Sequence, residues 1–270
     1  MIPKIIHYCW FGGNPLPDDA KRCIESWKKY CPDYKIIEWN ETNYDVNSNK
    51  YMKDAYKEKK WAFVSDYARV DVVYTYGGIY MDTDVELVKG LDSLLNDRMY
   101  CGWEMRDPLL DKMGKEYENS VAFGLGFGAE KKHPALKEIL DLYQNLSFYN
   151  DDGTLNLLAC PHYQTEILIK YGLDVSTRSY QRLADGIVVY EEEVFSPKSP
   201  LTGKTVITDK TISIHQFSMT WINEKERRLQ NIEWKLTDLF GYGIAQKISK
   251  ILSLPYRIEK KLIKIVNSFN

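Results

Sequence analysis

The sequence predicts an α/β fold, a layered sheet with helices packed on it. Three observations carry that expectation. Strand-length apolar runs at 4–10 and 34–39 alternate with helical patterns at 17–30 and 61–76. A double glycine, Gly77-Gly78, ends the second helical pattern just before a third strand-like run, Ile79 to Leu87. Hydrophobic residues are 44% and charged residues 27% of 270, enough apolar material for one large domain, or a domain with an appendage.

The elements follow in order. Lys4 to Trp10 reads as a short buried strand, broken by the Gly- and Pro-containing loop at 11–17. Pro17, Asp18 and Asp19 open a helix running to about Tyr30, because proline suits a first turn and acids suit the positive end of the dipole. Tyr34 to Trp39 is a second strand, and 40–60 is loop with a short helix. From Trp61 to Tyr76 apolar residues recur at helical spacing. Met99 to Glu104 and Val121 to Ala129 read as strands, and His133 to Leu146 and Pro161 to Tyr171 as helices. Short strands lie within 187–215, and the chain beyond Lys225 is mostly helix.

Charge and cysteines narrow the function classes. Thirty-six basic against 38 acidic residues leave a net charge of −2, so a whole-protein electrostatic grip on nucleic acid is not expected. The 5 cysteines include no CxxC pair, which argues against a zinc site or disulfide framework and for a reducing compartment. Neither a signal-peptide core nor an uncharged span of about 18 residues is evident. A cytoplasmic location is expected. Residues 241–270 hold six basic residues and one acid, a local +5, together with an apolar face. That pattern predicts a tail after a main domain spanning 1–240. It fits a helix docked on the protein's own core, and also one lying on the anionic inner face of the plasma membrane.

The chemistry-bearing feature is Gly77-Gly78-Ile79-Tyr80-Met81-Asp82-Thr83-Asp84. On an extended chain, residues two apart point to one side, so Asp82 and Asp84 are expected to converge where a strand leaves the sheet. Ligands of open α/β sheets bind at that edge. Paired carboxylates with room for water suit Mn²⁺ or Mg²⁺ shared with a phosphate. Upstream, Asp66 and Arg69 are three apart on one helix face and interrupt an apolar helix. They form either a surface ion pair or a polar grip on hydroxyls and phosphate. His7 reads as a residue that packs or hydrogen-bonds beneath its strand.

The ordered set Ile2-Pro3-Lys4-Ile5-Ile6-His7 with Trp10, Ser65-Asp66-x-x-Arg69, and Gly77-Gly78-Ile79-Tyr80-x-Asp82-x-Asp84 resembles glycosyltransferase family 32. Those are DXD-containing sugar-nucleotide transferases that include capsular polysaccharide enzymes and yeast-type mannosyltransferases. The motif order is also similar to that of the glucosyltransferase domains of clostridial toxins. The likeness covers residues 1–90, and a later stretch from Ser213 to Trp221 resembles the family's "His…Ser-Trp" segment, with Thr220 where serine is usual. Residues 90–210 match loosely.

The resemblance implies a GT-A fold, meaning a Rossmann-like mixed sheet flanked by helices, here followed by C-terminal helices. It implies a nucleotide-sugar donor, with a UDP-sugar preferred, a divalent metal, retention of anomeric configuration, and a glycan or lipid-linked oligosaccharide acceptor in surface or capsular polysaccharide synthesis. By position, Trp10 lies by the base, Asp66 and Arg69 contact the donor sugar or ribose, and Tyr80 lines the pocket. Asp84 ligates the metal directly and Asp82 through water, His215 binds metal or diphosphate, and Trp221 closes over the β-phosphate. Asn119 and His162 flank the acceptor.

Other readings meet the same residues. A metal-dependent phosphatase using one aspartate of Asp82-Thr83-Asp84 as nucleophile lacks a matching downstream constellation. A non-catalytic carbohydrate-binding or assembly subunit would not need Asp66, Arg69, Asp82, Asp84 and His215 together. Gly124-x-Gly126-x-x-Ala129 fits a dinucleotide fingerprint as a string, but the helix after it begins too late.

Overall fold

A computed structural model describes residues 1–107, 109–110, 119–219 and 224–256. They form two compact units, one of 1–198 with 206–217 and a smaller one of 199–205 with 218–270.

The larger unit opens β1 (Ile5–Cys9), α1 (Asp18–Tyr30), β2 (Lys35–Trp39), α2 (Lys50–Lys57) and α3 (Trp61–Tyr76). Here the expected order holds to within a residue or two. It continues β3 (Gly78–Tyr80), β4 (Val85–Leu87), β5 (Met99–Gly102), β6 (Phe127–Ala129), α4 (Pro134–Asn145), α5 (Cys160–Lys170), β7 (Gln181–Arg182), β8 (Ile187–Tyr190), α6 (Glu192–Phe195) and β9 (Ser213–His215). Seven strands make a mixed sheet in the order β2-β1-β3-β6-β5-β8-β7. β1 runs parallel to β2 and β3, β5 runs parallel to β8, and β6 is antiparallel to both β3 and β5.

Side chains alternate across this sheet as the strand period requires. Ile6 and Tyr8 of β1 pack with Ile24 and Trp27 of α1 on one face. Cys9 packs on the other with Val64, Tyr67 and Ala68 of α3 and with residues of α4 and α5. α3 is buried on most of its surface, which explains its apolar composition all round. Gly77 and Gly78 then turn the chain sharply into β3. Gly78 has φ of +111°, and a Cβ there would stand 2.7 Å from the Ile5 carbonyl oxygen.

Two predicted strands are corrected. Ile79 to Leu87 is not one strand. β3 ends at Tyr80, Asp82 to Asp84 lie in a turn, and β4 leaves the main sheet to pair antiparallel with β9. α1 anchors that excursion, with Trp27 Nε1 donating to the Val85 carbonyl at 2.7 Å and Ser26 Oγ accepting from the Leu87 N–H at 2.9 Å. Val121 to Ala129 is likewise broken by a 3₁₀ turn at Phe123–Leu125 before β6. All five cysteines are buried and free.

The smaller unit contains α7 (Glu224–Phe240) and α8 (Tyr242–Leu252), which pack against each other after a turn at Gly241. Trp234 Nε1 donates to the Pro200 carbonyl at 3.2 Å within it. Among the described residues no helix is long and apolar enough to cross a membrane.

Candidate active site

The site begins on α3. Asp66 and Arg69 are both buried, and Arg69 Nη2 lies 3.0 Å from Asp66 Oδ1. This is no surface pair. The same Nη2 lies 3.4 Å from Asp82 Oδ1, and the guanidinium sits 5.0 Å from the Tyr80 ring centroid. Tyr80 Oη donates to Asp82 Oδ1 at 2.8 Å. One cation therefore ties two carboxylates from distant segments. Burial pushes the Asp66 carboxyl above the usual range, with Arg69 opposing. Burial also disfavours the Arg69 charge, yet Asp82, Tyr80 and Asp66 hold that proton firmly. Cys160, the first residue of α5, donates to Asp66.

The turn after β3 supplies the second half. Pairing of β4 with β9 sets Val85 opposite His215, so the histidine arrives beside Asp84. His215 Nε2 is 3.2 Å from Asp84 Oδ1. Ligand atoms of Asp82, Asp84 and His215 all lie within 4.8 Å of one another. The two carboxylates do converge as expected, but a turn brings them together rather than an extended strand. Burial lowers the His215 proton affinity, and Asp84 more than offsets it, leaving the pKa raised.

These residues fit a divalent cation. Two carboxylates match Mn²⁺ or Mg²⁺, and the added imidazole suits a transition metal such as Mn²⁺ better than Mg²⁺. The His215 Nδ1 is buried with no hydrogen-bond partner, a costly arrangement that a ligand would relieve.

Other groups reach the cluster from outside the sequence motifs. Gly124 closes over it: its carbonyl accepts from the Asp82 N–H at 3.2 Å, and a Cβ would stand 2.3 Å from Asp82 Oδ2. The glycine is thus a close-approach residue of the site, a role unrelated to a dinucleotide fingerprint. Glu104, just past β5, interacts electrostatically with His215, and burial raises its pKa. Lys198 Nζ donates to the Gln216 carbonyl at 3.0 Å and to its Oε1 at 2.8 Å, while the Gln216 N–H donates to the Asp84 carbonyl at 2.9 Å. An ammonium is thereby set near Asp84 and Glu86, with burial lowering its pKa. The edge rule for parallel strands could have flagged Glu104. Nothing local marks Lys198. The Tyr51 and Tyr143 hydroxyls are buried without partners and interact with Asp66 electrostatically.

The remaining expected residues stand apart. Trp10 follows β1 and donates from Nε1 to the Asn14 carbonyl at 2.6 Å, pinning the following loop. Asn119 Nδ2 donates to the Val175 carbonyl at 2.8 Å, and its Oδ1 is buried without a partner. His162 is exposed on α5. Among the described residues no hydrogen bond or ion pair ties any of these three to the aspartates. Trp221 and Thr220 lie outside the described residues, although Phe217 and Met219, which lead to them, take left-handed φ of 51° and 44°. His7 sits beneath the sheet, as expected. Trp39 Nε1 donates to its Nδ1 at 3.0 Å, and its Nε2 faces the Gly77 carbonyl at 2.9 Å.

A mixed α/β sheet here has a strand-exit turn that joins two aspartates to a histidine, beside a buried Asp–Arg pair, the arrangement of a site for a cation and a polar ligand. Residues 17–100 match the family described as "Glycosyltransferase sugar-binding region containing DXD motif". The chain is similar to inositol phosphoceramide mannosyltransferase 1 of Schizosaccharomyces pombe, with 29% identity over 55% of this chain and 44% of the relative. Inositol phosphoceramide mannosyltransferase 3 of the same yeast is 32% identical over 39% of this chain and 30% of the relative. The matched stretches thus span less than half of either relative. Among solved structures, PaToxG glycosyltransferase aligns with a TM-score of 0.46 at 23% identity, covering 63% of this chain and 69% of that one.

Proposed function

We propose that this chain is a metal-dependent, retaining glycosyltransferase that moves a sugar from a nucleotide-sugar donor to a glycan or lipid-borne acceptor. The observation that carries the reading is the convergence of Asp82, Asp84 and His215 within 4.8 Å, next to the buried Asp66–Arg69 pair. A transfer of this kind breaks the bond from the anomeric carbon to the diphosphate and forms one to an acceptor hydroxyl, whose proton is released. A divalent cation held by Asp82, Asp84 and His215 would neutralise the charge that gathers on the departing diphosphate.

The protein's own groups do the rest. Arg69 and Tyr80 fix the orientation of Asp82, so the site is organised before the donor arrives. Asp66, kept dry and proton-avid, accepts hydrogen bonds from donor hydroxyls. Lys198 offers a second cation to the diphosphate. Trp10 stacks near the base, and Asn119, His162 and Glu104 serve the acceptor side. The relatives' names add a mannosyl donor to the UDP-sugar expected from the resemblance, and they favour a lipid-borne acceptor. A role in surface or capsular glycan synthesis at the cytoplasmic face of the plasma membrane completes the reading.

The test is donor hydrolysis across a panel of UDP-sugars and GDP-mannose with Mn²⁺, with EDTA, and with Asp84→Ala. One nucleotide sugar should be slowly hydrolysed with Mn²⁺ only, and by the wild type only. Preference for phosphomonoesters would mean a phosphatase. Binding without turnover of any donor would mean a carbohydrate-binding subunit.

A further inference from the structure

The exposed face of the α7–α8 hairpin mixes branched apolar side chains with lysine. None of the α7 side chains is buried. On α8, Ala245 and Ser249 are buried, and the opposite face carries Ile244, Lys247, Ile251 and, just past the helix, Leu254, spaced three or four apart. Ile244, Ile251 and Leu254 are 53%, 71% and 53% exposed, and Leu239 and Phe240 at the hairpin turn are 72% and 54% exposed. A single exposed leucine is ordinary, but five exposed large apolar side chains within sixteen residues of one hairpin are the kind of feature that soluble surfaces keep for a partner.

Charge says which partner. From 239 to 256 the chain has Lys247 and Lys250 and no acid, and over 241–270 the sequence sums to +5. A second copy of the same face would meet it with like charge. A helix that shows lysines beside isoleucine and leucine, and is too short to cross a bilayer, has the pattern of one lying in the headgroup layer. We propose that the Leu239–Leu254 face of this hairpin docks on an anionic lipid bilayer, with the apolar side chains in the interface and Lys247 and Lys250 against lipid phosphates.

The experiment is co-sedimentation of the full chain with phosphatidylcholine vesicles, with and without phosphatidylglycerol. The wild type should pellet with the anionic vesicles alone and be released by high salt. Lys247→Gln with Lys250→Gln should lower partitioning roughly thirtyfold, from about fivefold per basic residue. Ile251→Asp with Leu254→Asp should lower it at least as far. These positions are exposed, so melting temperature and hydrolysis of soluble donor should stay at wild-type values in both variants. Wild-type protein that stays in the supernatant with anionic vesicles overturns the proposal. So does equal binding by both variants, or pelleting without vesicles through self-association that light scattering detects.

Discussion

Asp66 shows how far a single residue's role can be read before its surroundings are known. Its spacing from Arg69 is legible, but the same spacing fits a solvated ion pair. Burial of both side chains removes that alternative. A buried pair is held at a large desolvation penalty, and losing one partner typically costs about 3–5 kcal/mol. Asp66→Asn is gentler, because Arg69 keeps Asp82 as a partner. We expect Asp66→Asn to lower turnover at least about a hundredfold, the scale of losing one aligned polar group at a reacting centre. Nucleoside diphosphate affinity should change little, which calorimetry against the free diphosphate would check. Equal losses in both would mean that Asp66 serves the diphosphate and not the sugar. The partners that give Asp66 its character, Cys160 and the Tyr51 and Tyr143 hydroxyls, come from segments far along the chain with no motif of their own, so no local pattern announced them.

At the scale of elements, helices bounded by proline or glycine were legible, because periodicity and end signals are local. α1 and α3 match their expected spans closely. The broken strands were not, since β4 leaves the main sheet through pairing with β9, a contact between distant segments. His215 was accessible only through the resemblance for the same reason. Gly124 tests the packing of these elements. Its φ is not in the left-handed region, so an alanine would be resisted by contact alone, 2.3 Å from Asp82 Oδ2 and 3.1 Å from Arg69 Nη1. Relief requires Asp82 to swing away from Tyr80 and Arg69. Gly124→Ala should therefore remain folded, with a modest fall in melting temperature, and should lose Mn²⁺-dependent donor hydrolysis by tenfold or more.

The seam of β1 with β3 carries a pH-sensitive element of its own. His7 is fully buried between the Gly77 carbonyl and Trp39, and burial pushes its pKa down from 6.5 to about 4. The unfolded chain binds this proton more readily than the folded one. Its contribution is thus fully present above about pH 6.5 and falls as pH drops toward 4, by about 3 kcal/mol in all. Urea unfolding of wild type and His7→Gln at several pH values should show the difference in stability between them shrinking across that window. A constant difference would mean that the histidine is not held neutral.

For the molecule as a whole, the reading rests on a linked equilibrium. The Asp82–Asp84–His215 cluster gathers two carboxylates around a histidine whose Nδ1 has no partner, and Arg69 is already engaged by Asp66 and Asp82. A diphosphate brought alone to that turn would meet two carboxylates whose neighbouring cationic groups are already engaged. With a cation present the same carboxylates become the reason it binds. A ligand that binds only the folded state at about 100 times its Kd adds about 2.7 kcal/mol of stability. For a chain of this size that corresponds to a rise in melting temperature of about 5–10 °C. We expect UDP or GDP to produce a shift of that order with Mn²⁺ and almost none in EDTA, and Mn²⁺ alone to produce a smaller one. In Asp84→Ala the nucleotide shift should vanish while the unliganded melting temperature stays near wild type, because Asp84 lies in a turn and outside the packed core. A full nucleotide shift in EDTA would place the diphosphate on Arg69 and Lys198 alone and remove the metal from the proposed reaction.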